Sequence, residues 1–284
     1  MYDRILVPLD GSALSEAAVR LALLIPSRLV YLLHVEDDTP AVEHVISPSG
    51  REVRTRWLVE EEQEHLQRAA AAFRDQGREV EVLRVGGDRA QRIAEAAVDV
   101  DLIVMTTHAR GPAGRAILGS VADRVAREAP APTLLVRGDY ALASPPLTRI
   151  VVPLDGSPLA GKAESVAAEL ASALALRVHL VRVVEPSQEE TSRAAAHADL
   201  DARVARLWEQ DVVATSEVRA GPVVPELRAA IRPRDLVVMT THGRGGVRRL
   251  VLGSVAGALV RHADAPVLLL RAGMLASVDG GRKG

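Results

Sequence analysis

The sequence predicts two tandem, Rossmann-like α/β domains, each an open parallel sheet of five strands flanked by helices. The first observation behind this is an internal duplication. RILVPLDGS at residues 4–12 matches RIVVPLDGS at 149–157 in 8 of 9 positions, and 101–139 aligns without gaps to 235–273 with 22 identities in 39. The second is the regular alternation of short apolar runs with amphipathic stretches inside each copy, the pattern of βαβ units. The third is composition. Of 284 residues 48% are hydrophobic but only 2% aromatic, so Val, Leu, Ile and Ala must build the cores. Those residues suit parallel strands buried beneath Ala-rich helices.

The elements follow in order. In the first copy Ile5–Leu9 reads as a buried strand, and Ser12 as the N-cap of a helix running to about Ile25. Arg28–Val35 reads as a second strand, 36–56 as a loop, and Trp57–Gln76 as a charged amphipathic helix ended by Gly77. Strands at Val80–Val85, Leu102–Thr106 and Thr133–Arg137 alternate with helices at Ala90–Val98 and Ser120–Arg127. The second copy repeats the strands at Ile150–Leu154, Arg177–Val184, Val212–Arg219, Leu236–Thr240 and Val267–Arg271. It is 11 residues shorter between the two matching blocks. The domains are expected at 1–140 and 147–273. The Pro-containing segment 138–148 joins them.

Composition narrows the function. The net charge of −2 argues against a nucleic-acid partner. The absence of Cys excludes disulfides and thiolate chemistry. Asp3 and Arg4 precede the first apolar run, and no apolar run approaches the length of a membrane span. A cytoplasmic protein without membrane association is the expectation.

Two motifs stand where an open sheet binds ligands, outside the carboxyl ends of its strands. Asp10 and Asp155 lie in Val-Pro-Leu-Asp-Gly-Ser at the end of the first strand. A carboxylate there could hold a ribose hydroxyl, a base or a hydrated magnesium ion, and Asp-Gly-Ser is equally good turn chemistry. The second motif is the loop after the fourth strand, TTHARGPAGRAILGSVA at 106–122 and TTHGRGGVRRLVLGSVA at 240–256. Gly119-Ser120 and Gly253-Ser254 open a helix whose bare N–H groups and dipole favour a phosphate. Neither Gly-Lys-Ser/Thr nor GxGxxG occurs. Arg110, Arg115, Arg244, Arg248 and Arg249 in these loops could clamp phosphates or be solvated. His108 and His242 occupy equivalent places without an evident set of further metal ligands. A Ser-His-Asp set of Ser120, His108 and Asp10 lacks a nucleophile elbow.

VPLDGS, the Thr-His-(Gly/Ala)-Arg loop and Leu-Gly-Ser-Val together resemble the universal stress protein family, over nearly the whole chain. The resemblance implies an adenine nucleotide alpha hydrolase-like fold. It also implies ATP as the ligand, with or without magnesium, reached indirectly through Asp10 or Asp155. In the family's ATP-binding branch the loop reads Gly-x-x-Gly, nine residues, then Gly-Ser/Thr. The second copy supplies Thr240, Gly243 and Gly253-Ser254; the first supplies Thr106, Ala109 and Gly119-Ser120. Carried over, Pro153 and Asp155 border the adenosine, Val183 offers backbone groups to adenine, Gly243 passes close to ribose and phosphate, and Gly253, Ser254 and Val255 cradle the phosphates. The set in the first copy is Pro8, Asp10, Val35, Gly119, Ser120 and Val121, with the second copy keeping the frame better. The resemblance further implies pairing of the two copies through their last strands and leaves a homodimer open. It points to a nucleotide-responsive stress or signalling protein. A slow ATPase or nucleotide hydrolase, or a scaffold without nucleotide, are the alternatives.

Overall fold

The computed structural model describes residues 2–36, 43–46, 52–55, 60–107, 118–138, 140, 147–185, 190–241 and 252–271. The chain divides into two units, residues 2–141 and 142–284. In unit one β1 (Arg4–Pro8), α1 (Glu16–Leu24), β2 (Leu29–Glu36), a hairpin of β3 (Glu43–Ile46) and β4 (Glu52–Thr55), and α2 (Glu60–Arg74) come first. β5 (Glu79–Gly86), α3 (Arg89–Ala96), β6 (Leu102–Thr107), α4 (Ser120–Glu128) and β7 (Thr133–Arg137) follow. Unit two runs β8 (Arg149–Pro153), α5 (Pro158–Leu174), β9 (Arg177–Val184), α6 (Glu190–Trp208), β10 (Ala214–Ala220), α7 (Val223–Ala230), β11 (Asp235–Thr240), α8 (Ser254–His262) and β12 (Val267–Leu270).

Each unit has the same strand order: β5-β2-β1-β6-β7 in the first and β10-β9-β8-β11-β12 in the second, all parallel. The chain therefore builds outward from β1 to β2 and β5, then crosses to the other side for β6 and β7. The reversal between β1 and β6, and between β8 and β11, opens a crevice at the carboxyl edge. The central strands are apolar on both faces because helices cover both. Ile5, Leu6 and Val7 are fully buried, as are Ile150, Val151 and Val152. Each such side chain contributes about 1.5–3 kcal/mol of burial. The helices present small residues to the sheet, Ala17, Ala18 and Ala22 from α1 and Ala163, Ala167 and Ala171 from α5.

Two readings of the sequence are corrected. Residues 36–56 are not wholly a loop, for β3 and β4 pair antiparallel within them and β4 lies against β5. Val45, Ile46 and Val53 flank Pro48-Ser49-Gly50, a hairpin signal diluted by the charges around it. Ser12 is not the cap of α1. A 3₁₀ turn at Ala13–Ser15 precedes that helix, and the Ser12 hydroxyl instead donates to Asp10 Oδ1 at 2.6 Å. Ser157, its counterpart, does cap α5, accepting from the Ala160 N–H at 3.1 Å with Pro158 in the first turn.

Among the described residues no helix is long and apolar enough to cross a membrane.

Candidate nucleotide-binding edge

The site is built where β1 and β8 stop. Pro8 and Pro153 are their last residues, and the chain turns through Asp-Gly-Ser. Gly11 and Gly156 have φ of 78° and 80°, in the left-handed region that glycine enters at little cost. The aspartate closes each turn. Asp10 Oδ1 accepts from the Ser12 N–H at 3.0 Å, and Asp155 Oδ1 from the Ser157 N–H at 2.8 Å. Partial burial of the Asp10 carboxyl works to raise its pKa. The hydrogen bonds from Ser12 and its own backbone, together with the charge of Arg89, outweigh it and hold Asp10 below the usual carboxylate value. Asp10 is thus an acceptor-only group at neutral pH.

β2 and β9 overrun their central neighbours. The last bonds are Leu9 N–H to Leu33 O and Leu154 N–H to Val181 O, both 2.8 Å. Backbone groups two residues apart point the same way along a strand, so those of Val35 and Val183 face the gap beyond β1 and β8. His34, 6% exposed, fixes the unit-one turn from below: its Nδ1 lies 3.0 Å from the Leu9 carbonyl oxygen, which only a donor can satisfy.

Across the reversal stand α4 and α8. Gly119 and Gly253 are their N-cap residues, neither with a side-chain cap. Ser120 and Ser254 are exposed at the first helical position, with Val121 and Val255 half-buried behind them. The leading N–H groups of such a helix lack intrahelical partners. Gly119 and Gly253 have φ of −59° and −55°. The backbone there does not demand glycine. The Gly253 N–H returns to the Thr241 carbonyl at 2.9 Å, bringing the helix start back to the end of β11.

In each unit one edge therefore holds the proline and aspartate of the first strand, the valine of the second, and the Gly-Ser-Val of the fourth helix. Gly243 lies outside the described residues, as do His108, His242, Ala109, Arg110, Arg115, Arg244, Arg248 and Arg249. Among the described residues no group of three or more His, Asp or Glu side chains could hold a metal ion.

Sequence reasoning missed the third strand's contribution, Arg89 in unit one and Val223 in unit two. Both follow a glycine just past a strand end, but only the strand order puts them on this edge. It also missed a Ser-His-Glu array whose serine and histidine are buried. Ser15 Oγ lies 3.1 Å from His65 Nε2, and His65 Nδ1 lies 3.8 Å from Glu16 Oε1. That array cannot supply a nucleophile, since Ser15 is 1% exposed and its hydroxyl donates to the Ser12 carbonyl at 2.7 Å. It ties α1 to α2.

The universal stress protein family model matches residues 1–137 and again 146–271. The chain belongs to the universal stress protein family. A universal stress protein of Mycolicibacterium smegmatis is 31% identical over 296 aligned positions, covering 94% of this chain and 96% of the relative. One from Mycobacterium tuberculosis H37Rv is 27% identical over 310, covering 94% of each. Among solved structures, a universal stress protein from Archaeoglobus fulgidus superposes with a TM-score of 0.68 at 17% identity, over 94% of this chain and 98% of that one. A Pseudomonas aeruginosa UCBPP-PA14 structure gives 0.71 at 18%, over 98% and 97%. These structural likenesses concern the fold; the family assignment rests on the sequence matches. The tandem universal stress protein architecture spans nearly the full length of these relatives.

Proposed function

We propose that this tandem universal stress protein binds an adenine nucleotide, ATP foremost, at the carboxyl edge of each sheet, and that it acts as a nucleotide-responsive protein of the stress response. The observation that carries the reading is convergence. A buttressed aspartate for ribose hydroxyls, a valine backbone facing the gap for the base, and an uncapped helix start with an exposed serine for phosphate meet on one crevice, twice in one chain. Each group matches one chemical part of a nucleotide. Magnesium would arrive with the phosphates, and Asp10 and Asp155 would meet it through water.

Equilibrium titration of the whole chain with labelled ATP and Mg²⁺ tests this. Saturable binding is expected; no binding at millimolar nucleotide refutes it. Gly253→Val is expected to remove more binding than Gly119→Val, because a side chain blocks phosphate approach most where the rest of the loop frame is kept. Equal losses, or a larger loss for Gly119→Val, would reverse the ranking of the two sites.

A further inference from the structure

β10 is the outermost strand of unit two. Among the described residues it pairs with β9 alone. The Val178 N–H donates to the Val213 carbonyl at 2.9 Å, and the Gly221 N–H to the Val184 carbonyl at 3.1 Å. Backbone groups alternate along a strand. Those of Thr215, Glu217 and Arg219 therefore face β9, and those of Ala214, Ser216, Val218 and Ala220 face outward. The Trp208 indole N–H donates to the outward carbonyl of Ala214 at 2.9 Å. The outward groups of Ser216, Val218 and Ala220 have no partner among the described residues. Such an edge is a template for a further strand. In unit one β4 lies against the equivalent strand, β5. In unit two only residues 185–189 join β9 to α6, too few for such a hairpin.

Two further observations concern the same strand. Of the five exposed large apolar side chains among the described residues, three flank it: Trp208 and Val213 at its start, 61% and 58% exposed, and Val223 past its end, 41% exposed. Glu217 and Arg219, opposite charges two residues apart, stand on one face of it. Both remain part-exposed, although Arg219 also pairs with Glu226 at 2.8 Å.

We propose that the outer edge of β10 is a self-association surface, on which a second copy of this chain adds its own β10 antiparallel, about a twofold axis at Val218. Antiparallel pairing brings opposite ends of the strand together, so Trp208 and Val213 of one copy meet Val223 of the other. Charge selects the register. With Val218 opposite itself, Glu217 of each copy faces Arg219 of the other. Sliding by two residues one way sets Glu217 against Glu217, and the other way Arg219 against Arg219. A slide of one residue turns the outward groups away from each other. In the selected register Ser216 pairs with Ala220 and Val218 with Val218, giving about six hydrogen bonds between the backbones. The ladder then stops at Ala214 opposite Pro222. Proline has no N–H to offer the Ala214 carbonyl, and Trp208 already satisfies it. One strand and its flanking side chains make a small interface, suited to a reversible dimer.

Sedimentation equilibrium of the full chain, from about 1 to about 100 μM, reads the association. Wild type is expected to pass from monomer to dimer across that range. Val218→Pro removes an N–H that no bond within the chain uses, and should raise the dissociation constant about tenfold or more. Cross-linking fixes the register, because the chain has no Cys of its own. Val218→Cys, opposite itself on the twofold axis, should give a disulfide-linked dimer on oxidation. Ser216→Cys, opposite Ala220, should not. A wild-type chain that stays monomeric throughout overturns the proposal. So does a folded Val218→Pro chain that dimerises like wild type, or cross-linking of Ser216→Cys equal to that of Val218→Cys. If Val218→Pro fails to fold, the two cysteine variants decide.

Discussion

The two units close the same sheet with different chemistry at the same places. In unit one Arg78 ends the first helix: its guanidinium donates to the carbonyls of Ala22, Leu23 and Ile25 and to Ser27 Oγ at 2.8–3.1 Å, and lies over the Phe73 ring. Val212 replaces it in unit two, where α5 instead ends on Ala175 in the left-handed region at φ 53°. At the start of the central strand the exchange is reversed. Asp235, 1% exposed, holds Arg149 through two contacts of 3.0 and 2.6 Å, and accepts from the Arg232 N–H at 2.8 Å. Its counterpart Asp101 is exposed and accepts the backbone N–H groups of Asp3 and Arg4 at 2.8 Å. Between the first two helices, unit one uses the Ser15–His65–Glu16 array and unit two the ion pair of Arg203 with Glu164 at 2.7 Å, with Asp199 of the same helix holding the Arg203 guanidinium at 3.1 Å. Helix ends and strand starts must be satisfied, but which residue satisfies them is free to drift after duplication.

The sharpest test of that contrast is Asp235→Ala. It strands the Arg149 charge, 13% exposed, and should destabilise unit two by about 3–5 kcal/mol, whereas Asp101→Ala should cost unit one about 1 kcal/mol. Hydrogen exchange resolved by unit reads both; equal losses would break the comparison. Next is Arg78→Ala, which leaves the last carbonyls of α1 without their donor and should cost about 2 kcal/mol. Chemical denaturation followed in unit one checks it. Val212→Ala, the matching change, should cost less and leave the end of α5 protected from exchange. A smaller effect of opposite sign is expected for Ala175→Gly. Relief of the left-handed alanine outweighs the added chain entropy by about 0.5 kcal/mol, measured as a raised denaturation midpoint.

The finest difference is in pH. His179 of β9 is buried, with Thr215 Oγ1 at 2.9 Å and Glu217 at 3.5 Å. Burial first, then the charge of Arg149, lowers its pKa against the opposing pull of Glu217 and Asp235. The unfolded chain then takes up a proton that the folded unit resists, so this contribution is present above pH 6.5 and is lost as pH falls below it. Tyr31 is the counterpart in unit one. Stability measured against pH should therefore slope more steeply below 6.5 in wild type than in His179→Gln; identical slopes would remove the effect.

Much of the fold was legible because its signals are local. The duplication, the strand–helix alternation and the Asp-Gly-Ser turn are each written within about ten residues, and the glycine of that turn meets a φ of 78° or 80°. The edge residues Pro8, Asp10, Val35, Gly119, Ser120 and Val121 were legible through motif and resemblance, and so were their partners in unit two among the described residues. The hairpin at 43–55 was not, because charges mask its alternation.

Other features were decided only by tertiary structure. Ser12 and Ser157 sit in identical hexapeptides, yet one bonds an aspartate and the other caps a helix, because Pro158 starts α5 at once where α1 begins after a 3₁₀ turn. Arg78 meets its carbonyls across 53–56 residues, and Asp235 meets Arg149 across 86. Arg89 comes to the edge of Asp10 only because β5 lies beyond β2 in the sheet. Periodicity and turn chemistry act through near neighbours and can be read along the chain. The partner of a buried charge or an open helix end is fixed by strand order and packing, which bring together residues the sequence keeps far apart.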